Sequence, residues 1–273
     1  MNRQQATSHD SPLWTTDYGD GPLVATAIHD GGALRHEVFG TLALDETTRF
    51  REEDPHTGVL TQIAPTRVVV HRSRFEVDLN RPREQAVYRV PDDAWGLDVW
   101  RETPDEALVA RSLVAYDLFY AHLHALLTQL LRYYPRLVVL DFHSYNYLRD
   151  GAEQQPADPE QNPEINIGTG SLDRERWAPV VERAMTVLRR ADFCGRQLDV
   201  RENVRFRGGH LSRWIHQQFP TSVGCLAIEC KKIFMDEWTG AVDDVRLQAL
   251  RRAFDAAGRE ITEELHGPAP GRA

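Results

Sequence analysis

Short apolar runs and longer stretches of helical spacing follow one another along most of the chain. The apolar runs occupy residues 22 to 28, 66 to 70, 137 to 140 and 225 to 228, and polar side chains follow each run. Apolar runs of this length that are rich in β-branched residues indicate buried strands. The alternation predicts an α/β fold with three layers, in which helices cover both faces of a mixed, mostly parallel sheet.

The longest helical pattern begins at Thr103, which is the predicted N-cap, and continues until Pro135 ends it. Between these residues apolar side chains recur at spacings of three and four, as on one face of a helix. Two more long helices are expected at about 173 to 191 and 242 to 265, and a shorter one near Ser212.

The two ends of the chain are polar and carry no periodic pattern. Residues 1 to 20 are expected to form a loosely ordered leader, and residues 266 to 273 a loose tail. The remainder contains no internal repeat and no clear domain boundary. We therefore expect residues 21 to 265 to form a single domain, which is a common size for one sheet with its helices.

Composition narrows the class of protein. Of the 273 residues, 41% are hydrophobic and 27% are charged, which is typical of globular domains. No apolar run is long enough to cross a bilayer and the N-terminus lacks a signal pattern, so we expect a cytoplasmic protein with no membrane partner. A net charge of -9 without a basic segment argues against a nucleic-acid partner. The three cysteines have no paired spacing, so we expect neither a disulfide framework nor a thiolate zinc site.

Reactive side chains stand at the ends of three predicted strands. His29 follows the first apolar run, His143 the third and Glu229 the fourth. Loops that leave the carboxyl ends of strands converge on one crevice, so these residues are expected to meet. Two neutral imidazoles with one carboxylate ligand are typical of a hydrolytic zinc site. The missing acidic ligand is expected from the acidic cluster "REED", as Asp54 or Glu53.

Each of these residues also has an ordinary structural interpretation. A histidine at a strand end is commonly a hydrogen-bonded structural residue, and an acidic run is usually solvated. Glu229 is different, because a carboxylate inside an apolar stretch is costly unless it is paired or bound to a metal. Asp141, two positions before His143, is expected to orient that imidazole or to fix the turn.

Two further segments carry candidate substrate contacts. In "SRFEVDLNRP", the guanidinium of Arg81 lies beside Asn80 and suits a carboxylate, with an ion pair to Asp78 as the alternative. In "FRGGH", Gly209 would let a substrate approach closely, and His210 would act as a secondary donor. A flexible turn is the alternative for this second segment.

Taken in order, these motifs resemble the N-formylglutamate amidohydrolase family. The matching elements are "HDGG" at 29, "REEDPHTGVL" at 51, "SRFEVDLNRP" at 73, "LDFHSY" at 140, "FRGGH" at 206 and "AIECKKIFMDE" at 227. They cover residues 22 to 237. The resemblance implies an α/β fold similar to zinc carboxypeptidases, with one zinc ion and a catalytic glutamate on a late strand.

The resemblance also implies roles for individual residues. His29 and His143 would be zinc ligands together with Asp54 or Glu53. Asp54 is favoured, because its spacing from Leu60 in the sequence matches that of the family's most regular acidic residue. Glu229 would be the general base. Further roles would be oxyanion stabilisation by Arg74 and a clamp on the substrate's carboxylate by Asn80 and Arg81.

The implied activity is zinc-dependent hydrolysis of a linear amide in an N-acyl amino acid that carries a free carboxylate. The first motif departs from the family's usual "PHSG", so formylglutamate itself is less firmly implied than the chemistry. One alternative is a carboxypeptidase-like metallopeptidase that acts on a peptide or modified peptide. Another is a metal-free binding protein that retains the fold.

Overall fold

The structure is a computed structural model and describes residues 12 to 267. The parts of the predicted leader over 1 to 11 and of the predicted tail over 268 to 273 lie outside the described residues. No helix within the described range is both long enough and apolar enough to cross a membrane.

A seven-stranded sheet forms the centre of the molecule, in the order β1-β3-β2-β4-β7-β5-β6. The β1/β3 and β5/β7 pairs are antiparallel, and the other four pairs are parallel. The sheet is therefore mixed and mostly parallel, as predicted. The strands are β1 Trp14–Asp17, β2 Leu23–Ala27, β3 Thr66–Val70, β4 Leu137–Tyr145, β5 Ile165–Gly168, β6 Val200–Glu202 and β7 Val223–Lys231.

Helices cover both faces of this sheet, which confirms the predicted three-layer α/β fold. On one face, α5 and α7 enclose an apolar core with Phe142 and Ile228 of the sheet. On the other face, α4 and α6 pack against Val139 and Cys225. The helices are α1 His36–Thr41, α2 Glu46–Glu52, α3 Thr57–Leu60, α4 Glu106–Leu130, α5 Ala178–Arg190, α6 His210–Gln218 and α7 Asp244–His266.

The start of the longest helix differs from the prediction. Asp105, and not Thr103, is the N-cap of α4, because its carboxylate accepts a hydrogen bond from the backbone N–H of Leu108. This bond satisfies one of the unpaired donors of the first turn. At this end two residues of the predicted helix therefore lie outside it, and at the other end α4 stops at Leu130, before the predicted stop at Pro135.

The expectation of a loose leader is wrong for residues 14 to 17. These residues form the edge strand β1, which pairs with β3 from Trp14↔Val70 to Asp17↔Arg67. A strand of four residues with two threonines at its centre has too little apolar pattern to be recognised in the sequence. Its pairing partner lies about fifty positions further along the chain, so the strand depends on a distant contact.

Two central strands run further than their apolar residues. β4 and β7 remain paired as far as Tyr145↔Lys231, so Asp141, His143 and Glu229 lie within strands and not after them. His143 and Glu229 are register partners, and alternation along a strand directs both side chains to the same face. The polar residues are tolerated there because this end of the sheet lines a cavity.

Candidate active site

Three buried side chains converge at the carboxyl edge of the sheet. Oδ2 of Asp54 lies 3.3 Å from Nδ1 of His29 and 3.0 Å from Nδ1 of His143. One possible ligand atom from each residue lies within 4.8 Å of the others, and all three residues are buried. The structure thus brings together two histidines and one of the two acidic residues that the sequence analysis proposed as ligands.

A carboxylate stands behind each imidazole. Nε2 of His29 lies 2.7 Å from Oδ1 of Asp78, and Nε2 of His143 lies 2.8 Å from Oδ2 of Asp141. Thr26 donates to the second oxygen of Asp141 over 2.6 Å, which fixes that carboxylate. Carboxylates of this kind orient metal-binding histidines and set their tautomer.

This arrangement turns three lone pairs toward one point. An ionised carboxylate only accepts, so the Nε2 atoms of His29 and His143 carry hydrogens that they donate to Asp78 and Asp141. In a neutral imidazole Nδ1 then has no hydrogen, and it faces the Asp54 carboxylate oxygen. Such a cluster is stabilised by a positive charge at its centre, which a bound cation or additional protons can supply.

The donor atoms suit a zinc ion. Zinc bonds of about 2.0 to 2.1 Å in a tetrahedron separate neighbouring donor atoms by about 3.3 Å. The observed separations of 3.3 and 3.0 Å between Asp54 and the two imidazoles match this spacing. Nitrogen and carboxylate donors without thiolate are a set that zinc and other divalent ions accept.

The charges within the cluster support each other. Where protons on Nδ1 take the place of a cation, burial still opposes ionisation of Asp54, but the hydrogen bonds that His143 and His29 then donate outweigh it and hold the Asp54 pKa well below its usual range. Burial likewise opposes protonation of His143, yet the charge of Asp141 and the hydrogen bonds to Asp141 and Asp54 raise the His143 pKa well above its usual value. The site therefore favours an ionised carboxylate beside positive charge.

Glu53 turns away from this cluster. Its carboxylate accepts a hydrogen bond of 2.5 Å from Ser73 and lies 3.7 Å from the Arg49 guanidinium. Burial raises the pKa of Glu53 to about 7. Glu53 lies outside the His29, Asp54 and His143 group, so the geometry favours Asp54 of the two proposed acidic ligands.

Glu229 reaches the same cavity from β7. It is the register partner of His143 and lines the cavity with His29 and Asp54. Burial raises the Glu229 pKa to about 8, although the positive charge of His143 partly opposes this effect. A carboxyl group with a raised pKa beside a metal-ligand cluster is suited to accept and release a proton.

Arg74 joins the cavity to the carboxylate behind His29. Its guanidinium donates to Oδ2 of Asp78 over 2.8 Å, and Tyr88 also donates to that oxygen. The guanidinium lies 4.7 Å from the ring centroid of Trp95, which lines the same cavity. Arg74 is thus a fixed positive charge at the cavity wall.

Asn80 and Gly209 form another part of the wall. Oδ1 of Asn80 accepts from the backbone N–H of Leu211, and its backbone carbonyl accepts from the N–H of His210. A Cβ atom at Gly209 would lie 2.0 Å from Asn80 Oδ1. Glycine is therefore required at 209 by close packing against Asn80.

Arg81 and His210 are not among the residues that line the cavity. The guanidinium of Arg81 donates to the carbonyl of Asp93 over 2.7 Å and lies 3.8 Å from Asp78, which is the ion pair considered as its alternative. His210 begins α6 and packs edge-on against Tyr120. In this structure both side chains are therefore engaged with other residues of the chain.

The cavity has a volume of about 640 Å³, which is within the range of small-molecule sites. Its walls combine the candidate metal ligands with several cationic and aromatic side chains. The lining includes Arg74, Trp95, Tyr145, Arg149, Arg205, Phe206, Arg207 and Lys232.

Lys232 is a site residue that the sequence analysis did not find. Its buried ammonium donates to the carbonyls of Arg51 and Glu53, over 2.5 and 2.8 Å, and so holds the segment that continues into Asp54. Burial lowers the Lys232 pKa to about 8. The feature of the sequence that could have identified Lys232 is its position as a charged residue directly after a buried strand.

Asp78 is the second residue whose role at the site was not predicted, because its contact with His29 was not expected. Its two carboxylate oxygens interact with His29, Arg74, Tyr88 and the N–H of Asn80. The "D-x-N-R" spacing contained this residue, but the distance between Asp78 and His29 depends on the folded arrangement of two segments that are 49 positions apart.

The fold and the site together define an α/β protein with a candidate metal centre in a polar cavity. The sequence model of the N-formylglutamate amidohydrolase family matches residues 21 to 235, most of the chain. The chain therefore belongs to the N-formylglutamate amidohydrolase family.

Two solved structures share this fold. An N-formylglutamate amidohydrolase from Ralstonia eutropha JMP134 superposes with a TM-score of 0.73 at 16% identity, over 93% of this chain and 98% of that chain. A gene product of Agrobacterium tumefaciens gives a TM-score of 0.65 at 16% identity, over 93% and 96% of the two chains. A metallo-carboxypeptidase from Burkholderia cenocepacia gives 0.40 at 15% identity, over 92% and 61%. No curated protein matches the sequence significantly.

Proposed function

We propose that this chain is a zinc-dependent amidohydrolase that cleaves the amide bond of an N-acyl amino acid with a free carboxylate. The observation that carries the proposal is the convergence of Nδ1 of His29, Nδ1 of His143 and Oδ2 of Asp54, beside the raised pKa of Glu229. Membership of an amidohydrolase family supports the reaction class.

In this proposal His29, Asp54 and His143 hold the metal ion. A bound zinc ion supplies Lewis acidity, which lowers the pKa of water and polarises a carbonyl group. Asp78 and Asp141 keep the two imidazoles in the tautomer that binds a metal, through hydrogen bonds of 2.7 and 2.8 Å.

Glu229 moves the proton. Its carboxylate accepts a proton from the attacking water and then delivers it to the nitrogen of the leaving amine. Glu229 lines the cavity with His29 and Asp54 and is the register partner of His143, so its carboxylate is placed beside the candidate metal ligands for both steps. Arg74 faces the cavity as a fixed cation and stabilises the negative charge that develops on the amide oxygen.

An activity screen tests this proposal. The zinc-loaded protein is incubated with N-formyl amino acids, N-acetyl amino acids and short peptides, all with a free carboxylate, and the released amine is measured. We expect hydrolysis of N-acyl amino acids, which Glu229→Gln slows by roughly two to four powers of ten. Hydrolysis confined to peptides would indicate a carboxypeptidase-like enzyme, and no hydrolysis of any amide would contradict the proposal.

A further inference from the structure

Four arginines line the cavity, but they differ in their partners. Arg74 pairs with Asp78 at 2.8 Å, and Arg149 lies 3.5 Å from Glu52. Within residues 12 to 267, neither Arg205 nor Arg207 is in an ion pair with a carboxylate. Both line the cavity, so their charges are available to an anion that enters it.

An exposed arginine without an ion pair is common on protein surfaces, so it matters whether the backbone that carries Arg205 and Arg207 is held in place. Both arginines belong to the loop of residues 203 to 209. A single buried residue, Asn166 of β5, fixes the first half of this loop. Its Oδ1 accepts the backbone N–H groups of Val204, Arg205 and Phe206 over 3.1, 2.9 and 3.3 Å. Its Nδ2 donates to the carbonyl of Phe206 over 2.8 Å. Four hydrogen bonds from one buried amide leave this loop little freedom.

The same asparagine connects the loop to β7, the strand that carries Glu229. Asn166 is the register partner of Glu229 across the β5/β7 pair. The backbone from 204 to 206 is therefore anchored directly beside the proposed general base. Movement of this loop relative to the candidate metal ligands is restricted by the sheet itself.

Close backbone packing fixes the second half of the loop. The N–H of Gly170 donates to the carbonyl of Arg207 over 2.7 Å. A Cβ atom at Gly168 would lie 2.6 Å from the backbone nitrogen of Gly208. The segment that carries Arg207 thus lies directly against the end of β5.

The side chain of Arg205 is also held in place. Its NH1 atom donates to Oδ1 of Asn162 over 2.6 Å. Its guanidinium lies over the rings of Tyr145 and Phe206, at 5.3 and 5.2 Å from their centroids. These contacts leave most of its N–H donors unused, and a guanidinium that is already positioned loses less freedom when it binds a carboxylate.

We propose that Arg205 and Arg207, presented by the 203–209 loop, are the residues that bind the carboxylate of the substrate. This inference rests on the proposed function; Arg81, the clamp that the family resemblance implied, instead donates to the carbonyl of Asp93 and lies 3.8 Å from Asp78. The loop would select N-acyl amino acids with an anionic side chain or α-carboxylate over uncharged analogues.

Calorimetric titration tests this assignment without turnover. The zinc-loaded Glu229→Gln variant is titrated with N-formylglutamate and with its uncharged diamide, which carries the same formamide group. We expect Arg205→Met and Arg207→Met each to weaken N-formylglutamate binding by about 10- to 100-fold, as for loss of a charged hydrogen bond, and to leave the diamide unchanged. Arg205→Lys should restore part of the loss.

Arg132→Met is the matched control, because this exposed arginine lies just before β4, at the opposite edge of the sheet. It should bind both compounds like the parent. Unchanged N-formylglutamate binding in both loop variants, a loss caused only by Arg81→Met, or no binding by the parent would each overturn the inference. Arginine-dependent binding without hydrolysis by the wild-type protein would instead contradict the proposed function alone.

Discussion

Asp78 accepts a hydrogen bond from Nε2 of His29 over 2.7 Å. The same carboxylate accepts from the guanidinium of Arg74 over 2.8 Å. Asp78 therefore connects a proposed metal ligand with the proposed oxyanion-stabilising cation, and a change at Asp78 should affect both. By contrast, Asp141 binds the neutral hydroxyl of Thr26 behind His143.

The first prediction follows from this contact. Asp78→Asn removes the negative charge behind His29 and leaves Arg74 without its charged partner, so zinc affinity should fall by about 10- to 100-fold. Competition with a chromogenic chelator measures the affinity. Asp117→Asn is the control, because Asp117 forms an exposed pair with Arg83. Equal affinities for the two variants would refute this role of Asp78.

Glu229→Gln separates proton transfer from metal binding. The variant keeps the size of the side chain but cannot accept a proton, so turnover should fall by roughly two to four powers of ten. Zinc content should remain that of the wild type, because Glu229 is not part of the ligand cluster. Elemental analysis and steady-state kinetics on the same preparation measure both. Unchanged turnover would remove Glu229 from the mechanism.

The two neighbouring acids should behave differently. Asp54→Asn should lose zinc, because Oδ2 of Asp54 faces both imidazoles. Glu53→Gln should keep zinc, because Glu53 hydrogen-bonds to Ser73 and lies near Arg49. Elemental analysis after dialysis distinguishes the two variants. Retention by Asp54→Asn together with loss by Glu53→Gln would reverse the assignment.

The pH dependence of stability has a definite sign in the metal-free protein. Burial raises the folded-state pKa of Glu229 to about 8, so between about pH 4.5 and 8 the folded protein holds a proton that the unfolded chain releases. The contribution of Glu229 to the free energy of unfolding should therefore fall as pH rises through this window, by up to about 1.4 kcal/mol per pH unit for one proton. Burial lowers the pKa of His216 to about 4, which acts in the opposite direction below about pH 6.5, so we expect the net fall between about pH 6.5 and 8.

Urea denaturation of the metal-free protein at a series of pH values measures this dependence. Glu229→Gln should reduce the slope without abolishing it, since burial also raises the pKa of Glu53 to about 7 and its contribution has the same sign. A wild-type slope of the opposite sign, or a slope that Glu229→Gln leaves unchanged, would contradict the buried protonated state.

The architecture could be predicted from the sequence where local patterns are strong. Apolar runs and helical spacing identified the central strands and the long helices. Strand ends were less accurate, because β4 and β7 continue through His143 and Glu229, whose polarity suggested that the strands had ended. Polar residues can occupy a strand when one face of it lines a cavity, and that condition is visible only in the folded chain.

The candidate site could also be predicted only in part, because some of its contacts exist only in the folded chain. His29, His143 and Glu229 were found because strand ends in this fold class converge, and Asp54 was proposed, as an alternative to Glu53, from the acidic cluster "REED". The positions of Glu53 and Arg81 could not be predicted, since they depend on which neighbour each side chain binds. Glu53 bonds to Ser73, and Arg81 to the carbonyl of Asp93.

The zinc stoichiometry of the purified protein tests the central claim most directly. Metal-depleted protein is titrated with zinc, and bound metal is measured after removal of the excess, in the wild type and in His143→Ala. The account predicts one zinc ion per wild-type chain and a large loss in His143→Ala, because His143 supplies one of three converging ligand atoms. Wild-type protein that binds no zinc, or His143→Ala with full zinc content, would contradict it.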